Sequence, residues 1–365
     1  MILSHPQAYL AEIQLPVLAG SVGAALTLVI KKCGFRFQWC KTPLAHHTHT
    51  NPVPRLGGIA VFIAVAVACM FSGIAPGAHT WAPALFICVA AIPVLLIGAY
   101  DDLRHASPKA KVLAQLTGAV LLITANWYLQ GRLSVYELLV LPAWLVISTN
   151  SFNLIDGLDG LATGTAIIIG SGLAIINFFS GNFVLAVFSI VMVAACLGFL
   201  PFNLVSPRIF LGDSGSLTIG FILAAIAFET PRETRLPWTA LVLFGYPLTE
   251  TTLTIVRRML KGRSVFRPDR EHMHHRMRHA GFSTAQAAFV LCLLALTFAS
   301  LAVMIGLGAS HWLAMGGATV LFLSVAKSFG YLRSRTLKRL RRRLAVSHQP
   351  KQEELPDIAG YLPFK

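Results

Sequence analysis

Three groups of acidic residues stand where long apolar runs end. Asp101 and Asp102 follow the run Ala90–Tyr100. Asp156 and Asp159 lie in Asn153-Leu-Ile-Asp156-Gly-Leu-Asp159-Gly160, and Asp213 lies in Phe210-Leu-Gly-Asp-Ser-Gly-Ser216. Carboxylates at such depth are costly and need a partner or a purpose. Adjacent Asp101 and Asp102 repel unless a cation or a proton intervenes, and Asp156 and Asp159 share a face if their segment is helical. Such a set suits a hard cation. Magnesium is held through one or two carboxylates plus substrate phosphates, so only some of the five acids are expected as ligands. Helix capping is the competing reading, chiefly for Asp159 and Asp213. Gly157, Gly160, Gly212 and Gly215 beside the acids would let backbone approach a bulky anion.

Basic groups complete the pattern. Lys109 and Lys111 follow the first acid pair within reach of a phosphate. A later segment reads Arg263-Ser-Val-Phe-Arg267-Pro-Asp-Arg270-Glu-His272-Met-His274-His275-Arg276. Its clustered histidines suit zinc, recognition of sugar and phosphate, or a structural or pH-buffering role. Adjacent His274 and His275 point apart on a regular helix, which weighs against zinc. His46, His47 and His49 read as solvated.

The elements that must position these residues are membrane helices. Of 365 residues, 55% are hydrophobic and 12% charged, against about a quarter charged in soluble domains. The charges gather between apolar runs long enough to cross a bilayer. Eleven such runs are expected, near 15–30, 59–75, 82–99, 112–128, 133–149, 161–179, 183–200, 215–229, 236–256, 286–308 and 312–330. The reading is an all-α polytopic membrane domain over residues 1–330, followed by a basic tail over 331–365.

Placing the N-terminus outside puts 27 of the 30 Lys and Arg residues in cytoplasmic segments, leaving Arg132, Arg232 and Arg235 outside. That is the positive-inside distribution. It puts every acidic group described above, the C-terminus and the histidine segment on the cytoplasmic face. The net charge of +15 therefore reads as topology and contact with anionic membrane lipids, and no nucleic acid partner is expected. The six cysteines fall in helices or inner loops, so no disulfide is expected. An ion-coupled transporter is the rival class, but coupling ions in transporters sit near the bilayer midplane on broken helices.

These motifs, in this order, resemble the polyprenyl-phosphate N-acetylhexosamine-1-phosphate transferases. The resemblance runs from about Pro52 to Gly281. It rests on Pro52-Val-Pro-Arg-Leu-Gly-Gly58, Asp101-Asp102, Asn150-Ser-Phe-Asn-Leu-Ile-Asp-Gly-Leu-Asp-Gly-Leu-Ala162, Phe202-Asn203, Ile209–Leu217 and Pro268-Asp-Arg-Glu-His-Met-His-His275. The His-x-His-His form is similar to the WecA branch, with MraY more distant. Two positions depart from the family pattern: Leu103-Arg104-His105 after the acid pair, and Lys41-Thr-Pro43 in the first inner loop.

The resemblance implies a bacterial inner-membrane enzyme. It would transfer N-acetylhexosamine-1-phosphate, expected to be the N-acetylglucosamine form, from a UDP-N-acetylhexosamine to undecaprenyl phosphate with release of UMP. That step would initiate an envelope glycan such as O-antigen. Another UDP-N-acetylamino sugar (N-acetylgalactosamine or a deoxy sugar) or phospho-MurNAc-pentapeptide is the alternative donor chemistry. The implied cofactor is Mg²⁺, with Mn²⁺ as a substitute. Asp213 would ligate it, with Asn153 or Asp156 sharing that work. Asp101 and Asp102 would position or deprotonate the lipid phosphate, and Lys109 or Lys111 would hold a phosphate. Asn203 would reach the uridine, while Arg267, Arg270, His272, His274 and His275 would read sugar and pyrophosphate. The apolar helices leave room for a homodimer.

Overall fold

The computed structural model describes residues 6–41, 53–72, 81–132, 134–204, 207–230, 238–262 and 271–328. The basic tail, Arg267, Arg270 and the three histidines near residue 47 lie outside the described residues. The chain is an all-α polytopic membrane protein. Eight described helices are long and apolar enough to cross a bilayer, and Gly57–Ser72 and Met315–Ser328 are shorter apolar helices. The expected total of eleven spans is not fixed by that measure.

In order, the helices are α1 (Pro6–Arg36), α2 (Gly57–Ser72), α3 (Ala82–Leu103), α4 (Pro108–Gln130), α5 (Val135–Ile155), α6 (Leu161–Phe179) and α7 (Phe183–Asn203). They continue with α8 (Gly212–Glu229), α9 (Trp238–Leu243), α10 (Gly245–Leu260), α11 (Met273–His279), α12 (Thr284–Gly306) and α13 (His311–Ser328). A two-residue pairing of β1 (Cys40–Lys41) with β2 (Val53–Pro54) joins α1 to α2.

The run read as one span over 236–256 is in fact two helices meeting at Phe244. Pro247 explains the break, because it cannot donate to the Leu243 carbonyl four residues back. Gly245 then lets the Phe298 ring of α12 press against the backbone, where a Cβ would collide with it.

Helix α8 is the axis of the bundle. Every residue from Ser214 to Ala227 is buried, and it packs against α2, α3 and α5. Small residues make that approach possible, as expected where apolar lipid offers no hydrophobic drive and packing must hold helices together. Gly58 of α2 touches the Gly215 backbone, and Gly98 of α3 lies against Asp213 and Ser214. The segment before α2 also pairs with the segment before α8: Gly57 N–H donates to Phe210 O (3.1 Å), Gly58 N–H to Leu211 O (2.9 Å) and Phe210 N–H to Pro54 O (2.8 Å). Because the helices alternate in direction, one end of the bundle collects the C-terminal ends of α3, α5, α7 and α10 with the N-terminal ends of α4, α6 and α8.

Candidate active site

All five acids lie at that end. Asp102, in the last turn of α3, is buried and reaches across to the start of α8. Its Oδ1 accepts the Asp213 N–H at 2.8 Å and its Oδ2 the Ser214 N–H at 3.0 Å. These are two of the amides a helix leaves unpaired at its N-terminus, so a carboxylate from another helix caps α8. Gly212, at φ +73°, makes the turn into α8, and a Cβ there would strike Asp102 and the Arg55 carbonyl. Capping was the reading weighed for Asp159 and Asp213. Asp102 is the residue that does it, while Asp213 stands one position into the helix.

Asp101 and Asp213 share one ammonium. Lys111, in the first turn of α4, places Nζ 3.1 Å from Asp101 Oδ2 and closes on Asp213 Oδ2. The α3–α4 connection holds Asp101 from its other side, since Ala106 N–H donates to Oδ1 at 2.7 Å. Lys109 sits in the same helical turn with its side chain exposed. Of the two lysines read from sequence, Lys111 is the one drawn into the acids.

Asp156 caps the C-terminus of α5. Burial pushes its carboxyl up to about 8, with the negative charges of Asp213, Asp102 and Asp159 adding to the effect and the Arg55 guanidinium opposing it. Arg55 was quoted in a motif but given no role in the sequence reading. Its place among the acids depends on the pairing of residues 53–58 with the start of α8, which no local spacing reveals. Asn153, one turn before Asp156, donates from Nδ2 to Ser216 Oγ at 2.8 Å and so ties α5 to α8. Asn203 is buried and works inside the protein. Its Oδ1 accepts from Gly160 N–H (3.1 Å) and Thr163 Oγ1 (3.2 Å), and its Nδ2 donates to Ile209 O (3.2 Å). This amide thus fixes the start of α6 and ties it to the segment before α8.

The histidines form a second cluster beside the first. His272 precedes α11, and His274 and His275 open it. The His272 and His274 rings lie 5.5 Å apart and nearly parallel, and those of His274 and His275 are 4.2 Å apart. The adjacent pair therefore does not diverge as on a regular mid-helix face. His274 is buried and packs directly on Gly157, where a Cβ would collide with its ring. That contact joins the histidine helix to the Asp156–Asp159 loop. Burial, with His275 and His272 nearby, drops the His274 pKa to about 3, so this ring is neutral at physiological pH.

Among the described residues, no three His, Cys, Asp or Glu side chains gather as a ready-made metal site. What the geometry offers is a sparse anionic site. The Asp213 charge raises the cost of ionising Asp156, Asn153 stands one turn before Asp156, and two cations, Lys111 and Arg55, flank the acids. Such a donor set suits a hard cation completed by phosphate oxygens and water, rather than zinc's full complement of protein ligands.

A multi-pass membrane protein with acids, cations and histidines at one end of its bundle defines a class, and comparison with known proteins gives that class a name. Residues 84–230 match the model of glycosyl transferase family 4. The chain is 30% identical over 305 residues, 80% of its length, to a probable undecaprenyl-phosphate N-acetylglucosaminyl 1-phosphate transferase of Bacillus subtilis, of which it covers 83%. It is 31% identical over 322 residues to the undecaprenyl-phosphate alpha-N-acetylglucosaminyl 1-phosphate transferase of Escherichia coli K12, covering 81% of this chain and 85% of the relative. It is also 31% identical over 320 residues to a decaprenyl-phosphate N-acetylglucosaminephosphotransferase of Mycolicibacterium smegmatis, covering 76% of this chain and 78% of the relative. The chain belongs to glycosyl transferase family 4.

Proposed function

We propose that this protein transfers N-acetylglucosamine-1-phosphate from its UDP-sugar to undecaprenyl phosphate, releasing UMP, at the cytoplasmic face of a bacterial inner membrane. The relatives' names support the donor and acceptor, and the positive-inside charge distribution supports the orientation. The observation that carries the chemistry is the meeting of Asp101, Asp213 and Lys111, from α3, α8 and α4, beside Asp156 and Arg55. Transfer brings two anions together, so the site has to offset charge before it does anything else.

An oxygen of the lipid phosphate attacks the β-phosphorus, and the bond from that phosphorus to the bridging oxygen breaks. UMP leaves with the electron pair. Lys111 and Arg55 supply positive charge where the pyrophosphate and the lipid phosphate meet, in a partly desolvated setting that strengthens their effect. A phosphate whose second pKa is about 6 is already ionised at neutral pH, so a dedicated base is unnecessary. Both Asp102 oxygens accept from the α8 amides, which supports a positioning role for this acid. We assign Asp102 to positioning, through the α8 amides, and the attack to the lipid phosphate itself. Asp213, with Asp156 and Asn153, would hold Mg²⁺, which when bound neutralises phosphate oxygens as charge develops. His272 and His275 meet the donor's sugar and phosphates, and neutral His274 keeps their helix on the Asp156 loop.

The test is label transfer. Purified protein is incubated with undecaprenyl phosphate and a panel of sugar-labelled UDP-N-acetylamino sugars, with Mg²⁺ or with EDTA. Metal-dependent label in the lipid phase, highest with N-acetylglucosamine, is the expected result. Equal transfer in EDTA overturns the metal assignment, and preference for another sugar overturns the donor.

A further inference from the structure

Helix α10 carries a buried acid that the reaction as described does not use. Glu250 is 1% exposed. Its Oε1 lies 2.9 Å from His272 Nδ1. Both of its oxygens also face the Met273 N–H at 3.2 Å, the first amide of α11. Thr254 Oγ1, one turn further along α10, stands 3.3 Å from the same ring nitrogen, and Arg257 binds Thr254 Oγ1 (3.4 Å) and the Glu271 carbonyl (2.6 Å). Helix α10 thus grips the residues on either side of His272 as well as His272 itself. A carboxylate and a bare ring nitrogen are both acceptors, so contact at 2.9 Å in a buried site requires a proton between them. A ring nitrogen held this way fixes the tautomer and the ring's orientation.

We propose that Glu250 is the positioning residue of the histidine cluster. Its carboxylate accepts the Nδ1 proton of His272 and leaves Nε2 to present a lone pair to a hydroxyl or amide N–H of the donor's N-acetylhexosamine. This rests on the assignment of the histidine cluster to donor recognition. It adds a division of labour there: His272 reads the neutral sugar, while the cations meet the phosphates. It also explains why an acid is buried beside α11, since one side chain both caps that helix and orients its recognition ring.

Two measurements test the pair. Nitrogen-15 NMR of histidine-labelled wild-type protein, with the His272 signals assigned by their loss in His272→Ala, reads the ring without any substrate. A protonated Nδ1 is expected, and an unprotonated Nδ1 overturns the proposal whatever the enzyme's activity. Donor kinetics of wild type, Glu250→Gln, His272→Ala and the double variant then read the coupling. Glu250→Gln is expected to raise the donor KM about tenfold with kcat changed less than threefold. In the His272→Ala background the same change should add less than twofold. Independent tenfold losses, accompanied by a lower melting temperature, would make Glu250 a helix cap and nothing more. Wild-type protein that shows the expected Nδ1 proton but transfers no sugar phosphate refutes the proposed function while leaving the Glu250–His272 pair intact.

Discussion

Gly98 was not among the residues singled out from sequence, yet the structure makes it a control point for the site. A Cβ at this position in α3 would lie 2.6 Å from Asp213 O, 2.7 Å from Ser214 Cα and 2.8 Å from Asp213 C. All three are backbone atoms in the first turn of α8, so no side chain can swing aside. Carbon atoms prefer separations of about 3.5–4.0 Å, so Gly98→Ala must push the α8 N-terminus away from α3 by roughly 1 Å. Overpacking of this kind costs about 1–3 kcal/mol of stability. The displacement falls on the Asp102 hydrogen bonds to Asp213 and Ser214 and on the Lys111 bridge. A 1 Å misplacement of a reacting group costs about 100-fold in rate.

Gly220→Ala is the matched control. Its Cβ would meet Phe152 Cβ at 2.6 Å, but about 10 Å further along α8, seven residues beyond Asp213. The assay is kcat/KM for lipid-linked sugar formation beside melting temperature, in detergent. Both variants should lose stability comparably, while only Gly98→Ala should lose roughly 30- to 100-fold in kcat/KM. Equal activity losses, or a Gly98→Ala enzyme within threefold of wild type, would refute the claim that α3–α8 spacing sets the site.

Other consequences can be checked separately. Asp102→Asn removes one charged acceptor from the α8 amides and should cost about 1–2 kcal/mol, measured by chemical denaturation. Asp101→Asn, whose partners are one loop amide and Lys111, should cost less. His274, with a folded pKa of about 3 against an unfolded value near 6.5, binds fewer protons folded than unfolded between those limits. Its contribution is therefore complete above about pH 6.5 and is lost as pH falls towards 3. Melting temperature should drop over that window in wild type and drop less in His274→Asn. Direct attack also predicts that labelled UMP will not exchange into UDP-N-acetylglucosamine without lipid acceptor. Acceptor-independent exchange would establish a phosphosugar-enzyme intermediate.

How much of this was legible in the sequence differs by scale. Apolar runs gave the membrane helices, because a bilayer imposes a length on every span. The order of acids at helix ends gave the face on which they meet. The split of residues 236–256 into α9 and α10 was hidden from a hydropathy reading, since Pro247 and Gly245 sit inside an otherwise continuous apolar stretch. The division of roles within the site was hidden too. Asp101 and Asp102 are neighbours in sequence, yet one meets Lys111 and the other caps α8, a pairing across 111 residues. Arg55 joins Asp156 through the pairing of residues 53–58 with the start of α8. Glu250 finds His272 only because α10 and α11 fold together. The glycines carried a further signal: Gly157 and Gly215, read from sequence as room for a bulky anion, instead admit the His274 ring and the Gly58 backbone, and Gly58 and Gly98 mark the close approaches of α2 and α3 to α8.

The central claim is that the β-phosphorus travels with the sugar, and the nucleotide left behind tests it most directly. Protein supplied with undecaprenyl phosphate, Mg²⁺ and UDP-N-acetylglucosamine labelled in uridine should release UMP in step with lipid product, and Asp213→Asn should release at least tenfold less. Release of UDP would mean that the sugar alone is transferred, and the phosphoryl chemistry assigned to this site would be wrong.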